Sequence, residues 1–377
     1  MEALVDWTLL YAGVVSDSLT GIVNGIMRVL YWPTEGVGAS WTSFTSTDSA
    51  FWTGLAALAG LFLLLRFTGT NVFNSVASRR ANYRDCLEEL RGMIDMKNSH
   101  PILLRLAWSD AGTYDHTVKA WPQQGGANGS VRFESELDKK GNVGLSKAIA
   151  LLESIKERYP GVTWADLIQM GGAVAVEISG GPRIDMVYGR EDALEREDSN
   201  AYGQAELPCP MWPYPDGAPS AQVHIRNTFY RMGLTNREIV ALCGAHTLGR
   251  AFEDRTGVCK HSSGDQGATE YTRLTSIARH DGQSGVGMAG GCSWTRQWLQ
   301  FDNTYFTRML EKPHDPSLLW LPTDKALYEC PEFRPFFELY ARDEAEFRKH
   351  YSKAHTKMSC LGAKFDPPGG FTLHDKQ

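Results

Sequence analysis

The chain has 377 residues, 42% of them hydrophobic, and a net charge of −6, which is enough sequence to bury a large core without disulfide support. The mild acidity and the lack of any long basic run argue against a nucleic-acid partner held by phosphate neutralisation. Seven cysteines with no CxxC pair read as reduced thiols rather than a disulfide framework.

The first 48 residues differ in composition from the rest. Val15, Leu19, Ile22, Val23, Ile26 and Leu30 fall on one helical stripe, with Asp17, Thr20, Asn24 and Arg28 opposite. That pattern predicts an amphipathic helix on a membrane surface or against a partner helix. A Gly, Ser and Thr-rich loop follows from Trp32 to Asp48. From Ser49 to Leu65 no charge occurs, so residues 49–67 are read as a single transmembrane anchor of minimal length, with a buried core helix as the alternative. The basic residues Arg66, Arg79, Arg80 and Arg84 come after this run, against Arg28 alone before it. The positive-inside rule then places the large domain on the cytoplasmic side of an unspecified membrane.

From about Asn82 the pattern is helical nearly throughout. Helices are predicted over Tyr83–Lys97, from Pro101 through Arg105, over Leu145–Tyr159, over Thr163–Glu177 and over Glu344–Leu361. Gly180-Gly181-Pro182 ends one of them, and Asp198–Pro219 reads as loop. Thr235-Asn236-Arg237-Glu238 is a capping box that opens a helix over Glu238–Leu248. Residues 260–291, rich in Gly and Ser, read as an inserted surface loop. Strand patterns are few, so the fold class is mainly α. One glycosylation sequon, Asn128-Gly129-Ser130, is present and matters only in a secretory lumen.

Two helical faces carry chemistry. Ile239, Leu242, Cys243 and His246 share one face, and a histidine there is either a core residue or a metal ligand. Arg105, Trp108 and Ser109 share another, and a guanidinium aimed inward must meet an anion or an acceptor.

Five motifs occur in order: RLAW…AGT, GGP…GRED, GAHTLGRA, SWT…FDN.YF and LPTDKAL. Together they resemble the class I haem peroxidases, the group of ascorbate peroxidase and cytochrome c peroxidase, over about Asn82 to Phe365. The resemblance implies a mainly α domain over 82–366, followed by a C-terminal tail over 367–377. It also implies one haem b held between a distal and a proximal helix. His246 then matches the proximal iron ligand. Asp324 matches the carboxylate behind it, which makes the imidazole a stronger donor, and Trp294 matches the indole that meets that carboxylate. Arg105 and Trp108 match the distal pair, and Asn142 the asparagine that orients the distal histidine. Lys97 and Arg255 match the pair that holds an anionic reductant, a task that suits Lys and Arg. Thr247, Thr295 and Asp302 match part of a monovalent or divalent cation site, although Gln297 stands where that branch has asparagine. The implied partners are a membrane, a small-molecule oxidant and an anionic reductant, with cytochrome c as an alternative. Beyond residue 65 acidic and basic residues nearly balance, which gives little steering for a basic cytochrome.

The sequence departs from the family pattern at Ser109, where the distal histidine is expected. Splitting hydrogen peroxide requires a proton to leave one oxygen and reach the other, and a neutral imidazole does both. A serine hydroxyl is not basic near neutral pH. Asp110 points about 100° away on a regular helix. Weak hydrogen peroxide turnover is therefore expected, as in a pseudoperoxidase. Peroxynitrite is the oxidant least in need of a base, and Arg105 could stabilise developing negative charge there. The alternatives are an active peroxidase that uses another base, and a non-catalytic haem or gas sensor. A Cys243 thiolate is an alternative iron ligand.

Overall fold

The computed structural model describes residues 77–194, 207–259, 267–279 and 281–373. The amphipathic segment read at 1–48 and the anchor read at 49–67 lie outside the described residues. Among the described residues no helix is long and apolar enough to cross a membrane. All of them belong to one compact unit, Val72–Gln377.

Helix α1 covers residues 77–97 and buries Tyr83, Cys86, Leu90 and Ile94, at helical spacing. Helix α2, His100–Ala111, follows almost at once, with Pro101 in its first turn, where the missing N–H costs nothing. Helix α3 is Ser146–Arg158 and α4 is Trp164–Ile178. Thr163 caps α4 by accepting from the Asp166 amide. Helix α4 lies hard against α2 because Gly172 carries no side chain: a Cβ there would come within 2.5 Å of the Ala107 Cβ. Gly180 at φ +82 then reverses the chain, and the amides of Gly180 and Gly181 close on the carbonyls of Glu177 and Val176.

The second half contributes α5 (Ala221–Arg231), α6 (Asn236–Cys243), α7 (Thr304–Leu310), α8 (Pro322–Glu329), α9 (Arg334–Arg342) and α10 (Glu344–Cys360). The predicted capping box forms: Thr235 accepts from the Glu238 amide, and Glu238 accepts from the Thr235 amide. Buried aromatic side chains of α7, α9 and α10, among them Phe306, Phe337, Tyr340 and Phe347, fill the space between these helices. The named strands among the described residues are β1 (Arg250–Ala251) and β2 (Cys292–Ser293). They pair antiparallel, with Arg250 opposite Ser293 and Ala251 opposite Cys292. The domain is mainly helical, as its composition and periodicity predict.

Three details differ from the sequence reading. The helix expected to run on to Leu248 stops being α at Cys243, and Gly244–Thr247 tightens into a 3-10 turn. Here Gly244 is pressed against the Phe347 and Phe306 rings, where a Cβ would lie 2.5 and 2.9 Å from ring carbons. Asn128 of the sequon is fully buried, so it is closed to glycosylation in the folded chain. The described part of the 260–291 insertion is more than a solvated loop, because Ala278 and Val286 form a small apolar cluster with Trp298 and Leu299.

Candidate active site

On one side of the domain the structure gathers His246, Trp294 and Asp324. His246 sits in the 3-10 turn that closes α6, and Asp324 is in the first turn of α8. His246 Nδ1 lies 2.9 Å from Asp324 Oδ1, and Trp294 Nε1 donates to Asp324 Oδ2 at 2.8 Å. The imidazole stacks on the Trp294 indole, centroids 4.3 Å apart and planes 8° from parallel. Asp324 is buried, and burial alone would push its carboxyl up. The facing His246, the Leu321 amide and the Tyr305 hydroxyl outweigh this and hold it below the usual carboxylate range. An ionised carboxylate only accepts, so His246 Nδ1 is the donor of this contact and Nε2 is the ring nitrogen not used by it. The His246 side chain is 38% exposed while its carboxylate partner is 1% exposed. That is a donor set suited to an iron ligand, with Nδ1 anchored behind and Nε2 left to bind the haem that the sequence resemblance implies.

Cys243 lies three residues before His246. Burial, and then the charge of Asp324, push its thiol far up, and a protonated thiol is a poor metal ligand.

On the other side, α2 carries Arg105, Trp108 and Ser109. Arg105 donates to the carbonyls of Gly141 at 2.7 Å and Val143 at 3.2 Å. Those two residues flank Asn142, so Arg105 and Asn142 are brought to one place. Burial, then the nearby charge of Arg255, lower the Arg105 guanidinium to about 10. Trp108 packs on Phe229 at 5.2 Å between centroids. Ser109 is 1% exposed. Asn142 is fully buried. Its amide nitrogen donates to the Glu136 carbonyl at 2.8 Å, while its Oδ1 has no hydrogen-bond donor among the described residues. An acceptor left unmatched in the interior is costly, and this is the oxygen that the resemblance assigns to a histidine.

The neighbouring carboxylate is turned elsewhere. Asp110 is fully buried, with Oδ2 accepting from the Gly129 amide at 3.0 Å and Oδ1 from the Val131 amide at 3.3 Å. Burial pushes its carboxyl up to about 7, against the lowering effect of those amides.

The two residues matched to reductant binding are placed differently. Arg255 packs its stem on Gly144, where a Cβ would lie 3.3 Å from its Cδ, and its guanidinium lies 4.5 Å from the Phe252 ring centroid. It therefore stands beside the Asn142 turn, within charge range of Arg105. Lys97 is exposed at the end of α1. Of the residues matched to a cation site, Thr247 Oγ1 donates to Asp302 Oδ1 at 3.1 Å, and Thr295 Oγ1 donates to the Thr247 carbonyl at 2.9 Å. Gln297 is exposed.

The sequence reading missed Tyr305. Its hydroxyl donates to Asp324 Oδ1 at 2.8 Å, and its ring meets the His246 ring edge to face at 5.7 Å. The signal was its place in the FDN.YF run. Arg308, also missed, is 3% exposed and donates to the Trp294 carbonyl at 2.7 Å.

A family model described as peroxidase matches residues 86–343. The chain is 47% identical over 299 residues to the probable L-ascorbate peroxidase 7, chloroplastic, of Oryza sativa subsp. japonica, covering 79% of this chain and 76% of the relative. It is 46% identical to L-ascorbate peroxidase T, chloroplastic, of Arabidopsis thaliana, covering 79% of this chain and 64% of the relative. It is 44% identical to L-ascorbate peroxidase 5, peroxisomal, of Arabidopsis thaliana, covering 74% and 81%. The chain belongs to the peroxidase family, among the class I haem peroxidases, and is a haem-iron oxidoreductase of that family.

Proposed function

We propose that this oxidoreductase turns over hydrogen peroxide slowly and that its effective oxidant is peroxynitrite or a related species. The observation that carries the reading is the state of the distal side. Residue 109 is a buried serine, the Asn142 Oδ1 that would orient a base has no donor among the described residues, and both oxygens of Asp110 are spent on backbone amides.

Haem, which His246 would hold, would supply the redox chemistry. Asp324 keeps the proton on His246 Nδ1 and so fixes which nitrogen faces the iron. Arg105, a half-buried cation at the distal turn, stabilises negative charge that develops on a leaving group. With no base at 109, the proton of hydrogen peroxide must move through solvent, which slows the step. Peroxynitrite has a weak O–O bond and a weakly basic leaving group, so it needs no strong acceptor. The electrons come from an anionic small molecule held by Arg255 with Lys97. Ascorbate is the candidate that the names of the relatives supply. An organelle location follows from the same names, and residues 49–67 are proposed to anchor the chain there.

The test is stopped-flow absorbance of the purified ferric protein, mixed in turn with hydrogen peroxide and with peroxynitrite. A slow Soret change with peroxide and accelerated peroxynitrite decay are expected. A fast change with peroxide sinks the proposal. Inertness to both oxidants transfers the assignment to a haem or gas sensor.

A further inference from the structure

Cys259 and Cys292 bound the insertion at 260–291, one at each end. The structure brings these two ends together. Cys292 is held in β2 opposite Ala251, is 4% exposed, and its thiol shares a hydrogen bond with that of Cys259. Cys259 is half-buried and stands at φ +74, a left-handed conformation that side-chain-bearing residues rarely adopt without a compensating contact. No disulfide joins any of the seven cysteines among the described residues. Two of the other thiols have different partners: Cys209 donates to the Met211 carbonyl, and Cys330 to Glu332.

We propose that Cys259 and Cys292 are an oxidisable pair that closes the neck of the insertion as a reversible disulfide. The oxidant is a hydroperoxide, the class of molecule this family encounters. The Cys259 sulfur, the more exposed, attacks one peroxide oxygen; an S–O bond forms, the O–O bond breaks, and one water leaves. The Cys292 sulfur then attacks the Cys259 sulfenic sulfur; the S–S bond forms, the S–O bond breaks, and a second water leaves. Two thiols lose two electrons and two protons, and one hydrogen peroxide becomes two waters. The shared hydrogen bond, and then burial, push the Cys259 thiol up, so the thiolate is scarce and the pair responds to sustained rather than brief exposure. The closed ring spans residues 259–292, long enough for the cross-link to remove much of the freedom of the unfolded chain. It also ties β2 to the segment that carries Arg255.

The experiment uses the full-length haem protein, treated with hydrogen peroxide, alkylated, and digested without reduction. The expected product joins a Cys259 peptide to a Cys292 peptide, lighter by two hydrogens, and is abolished by dithiothreitol. Oxidation should also raise the midpoint of thermal unfolding by several degrees, and Cys259→Ser should remove that rise. Recovery of both cysteines alkylated overturns the proposal. So does Cys259 sulfinic acid beside an alkylated Cys292, or a disulfide from either residue to a third cysteine. A cross-link that leaves the midpoint unchanged overturns the locked neck. Cys259→Ser is the variant of choice because its position is only half-buried, whereas Cys292→Ser changes a core residue.

Discussion

The Tyr305 hydroxyl donates to the same Asp324 oxygen that faces His246 Nδ1, at 2.8 and 2.9 Å respectively. Trp294 and the Leu321 amide share the other oxygen. The carboxylate thus divides its charge among four donors, and removing one strengthens its hold on the rest. Tyr305→Phe should make the His246 imidazole a stronger donor and lower the reduction potential of the bound iron by tens of millivolts. It should also cost about 1 kcal/mol of stability, as one buried hydrogen bond is lost. Spectroelectrochemical titration decides the matter, and a potential that rises contradicts this account of the charge.

Ser109→His should restore the missing base. The reaction with hydrogen peroxide should then accelerate by roughly 10²–10⁴-fold, the usual contribution of a positioned general base. Adding Asn142→Ala to that variant should remove part of the gain, because the new imidazole loses its acceptor. In the wild-type background Asn142→Ala should leave the slow rate nearly unchanged. Stopped-flow traces of the four proteins test all of this.

Asp110 makes stability depend on pH. Its folded carboxyl lies at about 7, above the unfolded value of about 3.9. The folded state therefore binds this proton more tightly. The contribution is fully present below about pH 4 and is lost as pH rises towards 7, by an amount on the order of 4 kcal/mol. Urea unfolding of wild type and Asp110→Asn, each at pH 5 and pH 8, isolates the effect. The variant should lose most of the difference between the two pH values, whatever its absolute stability.

Gly244→Ala should be disruptive although it adds one methyl to a helix end. The new Cβ meets the Phe347 and Phe306 rings, which are themselves core. Overpacking of this kind costs about 1–3 kcal/mol, and the strain falls two residues before His246. A lowered unfolding midpoint together with an altered Soret band is expected. A normal Soret band would show that the turn carrying His246 does not depend on that packing.

Much of this architecture was legible in the sequence because the informative residues lie at short, regular spacings. The capping box at Thr235, the glycine stop after α4 and the order of the five motifs need only local geometry. What escaped needs contacts across the fold. Nothing in the residue type of Tyr305 says that its hydroxyl reaches Asp324, nineteen residues on. The tightening of the chain at Gly244 depends on a phenylalanine in α10. The meeting of Cys259 with Cys292 spans the whole insertion, and Lys97 carries no signal that separates it from any other exposed lysine.

Asp324 stands three residues beyond Leu321, whose amide it accepts at the opening of α8. One side chain therefore starts a helix and fixes the protonated nitrogen of His246. Replacing it would unfasten the helix as well as the chemistry, so folding itself guards this half of the site. The Ser109 hydroxyl forms no hydrogen bond among the described residues and caps no element. Losing that hydroxyl therefore breaks no hydrogen bond, although the position is buried. On the proposed reading, the chain assembles the rest of the site without a base at 109.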